Sequence, residues 1–192
     1  MYTFFARMSR MKYINRWGLM RNTITENIAE HSLQVSMIAH SLAEIGNTYF
    51  DKKVNGERVS VLAMYHDASE IITGDMPTPI KYFAPEIRDA YKNVEQSATE
   101  QLIGGLPEEM KQEYRFIMQP KEEDKELWKY VKAADKLSAY IKCIEELSMG
   151  NLDFKQAHQS IKSSIQDMKM EEADYFIEYF LPAYSLTVDE QA

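Results

Sequence analysis

The segment Val59-Ser60-Val61-Leu62-Ala63-Met64-Tyr65-His66-Asp67-Ala68 sets an imidazole and a carboxylate side by side in an apolar run. Burying such a pair costs roughly several kcal/mol unless something compensates it, so any fold of this chain must supply a partner. A divalent metal is the natural one, since it accepts imidazole nitrogen and carboxylate oxygen together. His31 upstream and Asp135 downstream also sit among apolar helical neighbours. Four such residues converging would hold one ion and leave positions open for water and substrate. That is a hydrolase's arrangement.

The chain of 192 residues reads as one domain over 1–192, long enough to bury roughly 70% of its unfolded surface. Hydrophobic residues at 45% are too many for disorder. No apolar stretch reaches the roughly 20 residues of a membrane span, and Met1-Tyr2-Thr3-Phe4-Phe5-Ala6-Arg7-Met8 lacks a signal peptide's apolar core. The single Cys143 excludes an internal disulfide and fits a reducing cytoplasm. It reads as a packed mid-helix thiol rather than a nucleophile. Net charge is -8, with no basic tract, which argues against a nucleic-acid polymer as partner. A small anion remains open, because a metal and one or two basic groups can reverse the local field.

With 7 glycines and 6 prolines falling between helical patterns, and no alternating strand-like run, the chain reads as all-α. Helices are expected over 3–11, 23–49, 55–72, 85–103, 107–118, 124–149, 154–168 and 171–181. The second opens on Thr23-Ile24-Thr25-Glu26, which matches a capping box, and the third on Asn55-Gly56. Asp75-Met76-Pro77-Thr78-Pro79 is expected to be non-helical, since each proline disfavours helix before it. The result is a compact bundle whose third helix, apolar nearly all round, is central.

Ile28, His31, Val35, Ile38, Leu42 and Ile45 recur at helical steps, which puts His31 on a core stripe. Alone it would read as a core histidine satisfied by a carbonyl. His40 and His158 read as partly exposed or surface residues. On a continuous third helix, Asp67 lies about 100° round from His66, and Glu70 one turn beyond it. Asp135 alone would read as a salt-bridge partner of Lys132 or Lys136. Together the four give two imidazoles and two carboxylates, suited to manganese, cobalt, iron, nickel, copper or zinc.

His31, His66-Asp67 and Asp135 reproduce the H…HD…D pattern, and the chain resembles the HD-domain superfamily of metal-dependent phosphohydrolases. Within it, several segments resemble the bacterial 5'-deoxynucleotidases: Ile14-Asn15-Arg16-Trp17, Thr25-Glu26-Asn27, the stretch from Glu30-His31, Ala63-Met64-Tyr65-His66-Asp67-Ala68-Ser69-Glu70, and Thr73-Gly74-Asp75-Met76-Pro77-Thr78-Pro79. Similarity runs essentially end to end, including Asp174-Tyr175-Phe176. The resemblance implies an HD-domain bundle acting as a homodimer on deoxyribonucleoside 5'-monophosphates, with His31, His66, Asp67 and Asp135 as metal ligands. By the same resemblance Arg16 orients the phosphate, Trp17 packs on the nucleotide, Glu70 serves proton transfer, and Asp75, Met76, Pro77 and Thr78 hold the sugar. Substrate contacts are also implied at His31, Asp67 and Asp135, and a catalytic part at Arg16 and Asp75. Met76 stands where relatives can carry leucine, a volume-conserving exchange.

Elementary chemistry accommodates these roles. Arg16, expected in a flexible loop, offers a planar fork to phosphate, although a loop arginine is ordinarily a surface group. Trp17 reads equally well as an anchor for the first helix, and Asp75 as a solvated turn residue. The aromatic set Tyr175, Phe176, Tyr179, Phe180 and Tyr184 suits a dimer face. Two rival functions stand beside this one: an HD hydrolase of a nucleoside triphosphate or cyclic phosphodiester, and a metal-stabilised helical binding module without catalysis. Few basic residues argue against a triphosphate, and Glu70 with its polar loop against a closed structural site.

Overall fold

The computed structural model describes residues 1–81, 83–119 and 121–192. They form helices α1 (Phe4–Met8), α2 (Ile28–Tyr49), α3 (Gly56–Met64), α4 (Glu70–Thr73), α5 (Thr78–Lys81), α6 (Pro85–Ile103), α7 (Glu108–Met118), α8 (Leu127–Ser148), α9 (Lys155–Gln166) and α10 (Glu171–Tyr179). Short 3-10 turns follow α1 and α10. Among these residues no strand forms. Asn15 and Asn27 make one isolated antiparallel bridge. The fold is all-α, as expected. No helix among the described residues is long and apolar enough to cross a membrane.

The main core lies where α2, α3 and α8 meet. The α2 stripe Val35, Ile38, Leu42 and Ile45 packs with Val59, Leu62 and Ala63 of α3 and with Val131, Ala134, Leu137 and Ile141 of α8. Small residues at Ala39, Ala43, Ala133 and Ala134, all fully buried, let these helices approach closely. A second cluster joins Phe4, Ala68, Leu102, Ile103, Leu106 and Met118. At its edge the Gly105 carbonyl accepts the Thr3 and Phe4 N–H groups at 2.9 and 3.3 Å. A Cβ on Gly105 would stand 2.8 Å from Thr3 Oγ1 and 2.9 Å from the Phe4 nitrogen. Gly105→Ala is therefore expected to push α1 off the end of α6 and cost about 1–3 kcal/mol. An unchanged melting midpoint would contradict that contact.

Three local expectations are corrected. The second helix starts at Ile28, not Thr23: Asn27 caps it, its side chain accepting from the Ala29 and Glu30 N–H groups at 3.0 and 3.1 Å. The Thr23 and Ile24 N–H groups are instead tied to the buried Glu146 carboxylate of α8. A helix from Thr23 would also need backbone groups that are spent elsewhere: the Ile28 N–H donates to the Ile14 carbonyl, the Glu26 carbonyl accepts the Arg16 N–H, and the Ile24 carbonyl accepts from Lys142 Nζ. The third helix breaks after Met64, and residues 65–69 form turns before α4. Finally, Thr78 and Pro79 do enter a short helix, because a proline in a first turn forfeits no internal hydrogen bond. The first and sixth helices are also shorter than expected: α1 passes into a 3-10 turn at Ser9, and α8 begins at Leu127 rather than Asp124.

Candidate metal centre

The break after α3 shapes the site. In a continuous helix the Ala63 carbonyl would accept the Asp67 N–H. Here it accepts the His66 N–H at 3.3 Å and the His66 Nδ1–H at 2.7 Å. A side chain thus competes with the backbone ladder and tightens the chain into i→i+3 turns. His66 and Asp67 are no longer successive positions on a regular helix. The His66 Nε2 and Asp67 Oδ2 atoms lie 3.1 Å apart.

His31 reaches the same point from α2. Its Nδ1 is 3.1 Å from Ser138 Oγ on α8, and that hydroxyl donates to Gln34 Oε1 at 2.6 Å. The Ser138 oxygen must therefore accept the His31 Nδ1–H, which leaves Nε2 with its lone pair turned inward. That Nε2 faces Asp135 Oδ1 at 3.1 Å and Asp67 Oδ2 at 3.5 Å. The ligand atoms of His31, His66 and Asp67 all lie within 4.8 Å of one another. Neither Nε2 has a hydrogen-bond partner among the described residues. Two buried nitrogens without partners, aimed at two carboxylates, fit a divalent cation by both charge and donor type. Each imidazole is held from behind, as metal-binding histidines are.

Burial and the nearby Arg16 charge keep His31 neutral, below its ordinary range. Burial also opposes charge on His66, but the adjacent Asp67 carboxylate outweighs it and pushes the imidazole up to about 9. Asp67 is held well below the usual carboxylate range by the His66 charge, against its own burial. An incoming cation must displace the His66 proton. Metal uptake at pH 7 should release about one proton, and apparent affinity should rise about tenfold per pH unit up to about pH 9. Titration calorimetry of manganese binding in buffers of different ionisation enthalpy reads this directly. A proton count of zero would contradict it.

Arg16 lies beside this cluster. The Asn15–Asn27 bridge brings it there: the Arg16 N–H donates to the Glu26 carbonyl at 2.9 Å and the Ile28 N–H to the Ile14 carbonyl at 3.0 Å. Its side chain is only 13% exposed, with Nη1 2.7 Å from Glu26 Oε2 and Nη2 4.0 Å from Asp135 Oδ1. The expected flexible surface loop is thus a pinned segment. Trp17 adopts φ +61°, a left-handed conformation costing a non-glycine residue about 1–2 kcal/mol. Its N–H donates to Asp75 Oδ2 at 3.1 Å, its indole Nε1–H to Glu26 Oε2 at 2.9 Å, and its ring packs on Phe154.

A cavity of about 760 Å³ opens here, lined by Arg16, Trp17, Asp75, Pro77, Thr78 and Asp135 at one side. Asp153, Gln156, Ala157, Ser160 and Ile161 line the other. Met76 is half-buried and is not one of the lining residues. Glu70 opens α4 and is only 8% exposed, and its Oε2 has no hydrogen-bond partner among the described residues. Burial and the charges of Asp67 and Asp75 push it up to about 9. Asp135 pairs with neither Lys132 nor Lys136, and the latter donates to Ser164. His40 is exposed, His158 is half-buried beneath Tyr140, and Cys143 is a buried thiol pushed up to about 12.

Sequence reasoning missed Ser138 and Gln34, each three residues beyond a site residue on the same helix, a spacing that marks a shared face. It also assigned no site residue to α9, although Gln156, Ser160 and Ser164 repeat at four-residue steps along the cavity wall.

A family model described as 5'-deoxynucleotidase YfbR-like matches residues 3–184. A 5'-deoxynucleotidase of Pectobacterium atrosepticum is 50% identical over 187 residues, 97% of this chain and 94% of that one. One of Yersinia pseudotuberculosis is 50% identical over 190 residues, covering 97% and 95%. Among solved structures, an HD-domain phosphohydrolase of Listeria innocua superposes with a TM-score of 0.81 at 24% identity, covering 98% of this chain and 91% of that one. The HD phosphohydrolase of cyanophage S-2L, solved with dA and one catalytic Zn2+ ion, gives 0.64 at 21% identity over 92% and 95%. These two likenesses show the shared fold.

Proposed function

Since this chain belongs to the 5'-deoxynucleotidase YfbR-like family and is a phosphomonoester hydrolase, we propose that it frees phosphate from deoxyribonucleoside 5'-monophosphates at one divalent metal held by His31, His66, Asp67 and Asp135. The observation that supports this most is the pair of partnerless Nε2 atoms facing Asp67 and Asp135, at the end of a cavity where a buried arginine waits. When bound, a metal in such a set polarises a phosphoryl oxygen and lowers the pKa of water.

The chain's own residues divide the remaining work. Arg16 presents its guanidinium fork to the phosphate oxygens and offsets their charge. Trp17 packs against the nucleotide where it meets Arg16, and the rigid Asp75-to-Thr78 corner receives the deoxyribose, with Met76 backing it. Glu70, protonated at neutral pH, delivers a proton towards the departing 5'-oxygen. Arg16 and Lys136 are the basic side chains lining the cavity, a complement suited to one phosphate rather than three. The mixed nitrogen and oxygen donors suit cobalt, manganese or zinc, and also iron, nickel or copper. The Zn2+ and dA of the cyanophage protein support the same reading.

The decisive assay is a panel of ribo- and deoxyribonucleoside 5'-monophosphates with manganese, cobalt, zinc and magnesium, scored for free phosphate. Phosphate release from the deoxy series with a transition metal is the expected result. Release of pyrophosphate from triphosphates alone would replace the reading, and a protein stabilised by metal yet inert on every substrate would reduce it to a binding module.

The reading includes a cytoplasmic homodimer. Supporting the dimer, Tyr49, Tyr179 and Phe180 are exposed around Tyr175, whose ring stacks on Tyr49 and meets Tyr179 at a tilt. Sedimentation should give twice the chain mass of 22.4 kDa, and Tyr179→Glu should halve it.

A further inference from the structure

We propose that Glu26 is a positioning residue of this centre, whose single buried carboxylate holds the Arg16 guanidinium and the Trp17 indole together and keeps Arg16 off the ligand Asp135. This rests on the reading that Arg16 receives the phosphate. One oxygen does both tasks: Glu26 Oε2 accepts from Arg16 Nη1 at 2.7 Å and from Trp17 Nε1 at 2.9 Å. The Glu26 carbonyl accepts the Arg16 N–H at 2.9 Å, so the same residue pins Arg16 by backbone and by side chain. With its side chain 13% exposed, the carboxylate works where water competes poorly.

The neighbourhood explains why an acid is needed. Asp67, Asp75 and Asp135 also act on the guanidinium charge, and Asp135 comes within ion-pair distance, its Oδ1 4.0 Å from Arg16 Nη2. That same Oδ1 faces His31 Nε2 at 3.1 Å. Without Glu26, Arg16 would close on Asp135 and compete for the oxygen assigned to the cation. Trp17 would lose the Glu26 acceptor of its indole, on a residue already in a left-handed conformation. Glu26 thereby couples the phosphate-facing and nucleotide-facing groups through one atom. Helix capping, the part its sequence context suggested, is done by Asn27 and Glu30.

The test uses the full-length, metal-loaded enzyme and E26Q, which preserves shape but removes charge. With deoxyadenosine 5'-monophosphate, KM should rise about tenfold or more while kcat changes less than about threefold, the scale of one charge-assisted hydrogen bond. The chain has two tryptophans, Trp17 and Trp128, so the indole N–H spectrum contains two resonances. In E26Q the Trp17 resonance should move upfield and that of Trp128 stay. In an Arg16→Ala background, E26Q should change KM by less than about twofold, since coupled residues are not additive.

A KM within about twofold of wild type, an unmoved Trp17 resonance, or full additivity with Arg16→Ala would each overturn the proposal, the last by reducing Glu26 to a structural staple. If E26Q does not fold, Glu26→Asp serves: one methylene shorter, it cannot reach both donors, and the same KM rise is expected. A wild-type enzyme inert on every deoxynucleotide would instead overturn the functional reading beneath it, while the indole spectrum would still report whether Glu26 holds Trp17.

Discussion

Asp67→Ala is expected to lose its metal and its hydrolysis together. Asp67 Oδ2 lies 3.1 Å from His66 Nε2 and 3.5 Å from His31 Nε2, so it is the carboxylate between the two imidazoles. Its removal leaves the nitrogens without the charge that makes a divalent ion stable among apolar helices, and apparent affinity should fall by at least about 100-fold. His66→Ala should behave alike. The fold should survive, since Val59, Leu62 and Ala63 anchor α3 independently of the turn that follows. Elemental analysis after dialysis, beside phosphate release and circular dichroism, checks all three statements. A metal-free Asp67→Ala protein turning over like wild type would end the account of this centre.

Glu70→Gln should lower kcat by about 10²–10⁴ while the metal stays in place. The buried carboxyl is pushed up to about 9 and so holds a proton at neutral pH. Glutamine keeps the shape but has no acidic proton to give. Because Glu70 is not in the ligand set, metal content should match wild type, which separates this variant from Asp67→Ala. KM should change little, as the lost interaction belongs to the transition state. A kcat within about threefold of wild type would remove Glu70 from the chemistry.

Much of this was legible in the sequence because helical periodicity is local. The α2 stripe placed His31 in the core, Asn55 caps α3, and Pro85 and Gly104 bound α6. The Thr23 cap misled because the Ile28 N–H and the Ile24 carbonyl, which would pair in a helix starting there, go instead to the Ile14 carbonyl and to Lys142 Nζ of α8. The continuous third helix misled for a subtler reason: the His66 Nδ1–H takes the Ala63 carbonyl, and no propensity scale counts that competition. Both errors come from other partners, backbone or side chain, that take the groups a helical ladder would pair.

By itself the sequence determined the all-α class, most of the long helices and that four ionisable side chains would fall among apolar neighbours, since these follow from spacing along one chain. Only the tertiary structure decided that His31, His66 and Asp67 meet with Asp135 against His31, which ring nitrogen each histidine turns inward, and that one glutamate grips both Arg16 and Trp17. Those outcomes depend on where α2, α8 and the turn after α3 come together, and thus on packing between residues more than a hundred positions apart rather than on any local preference.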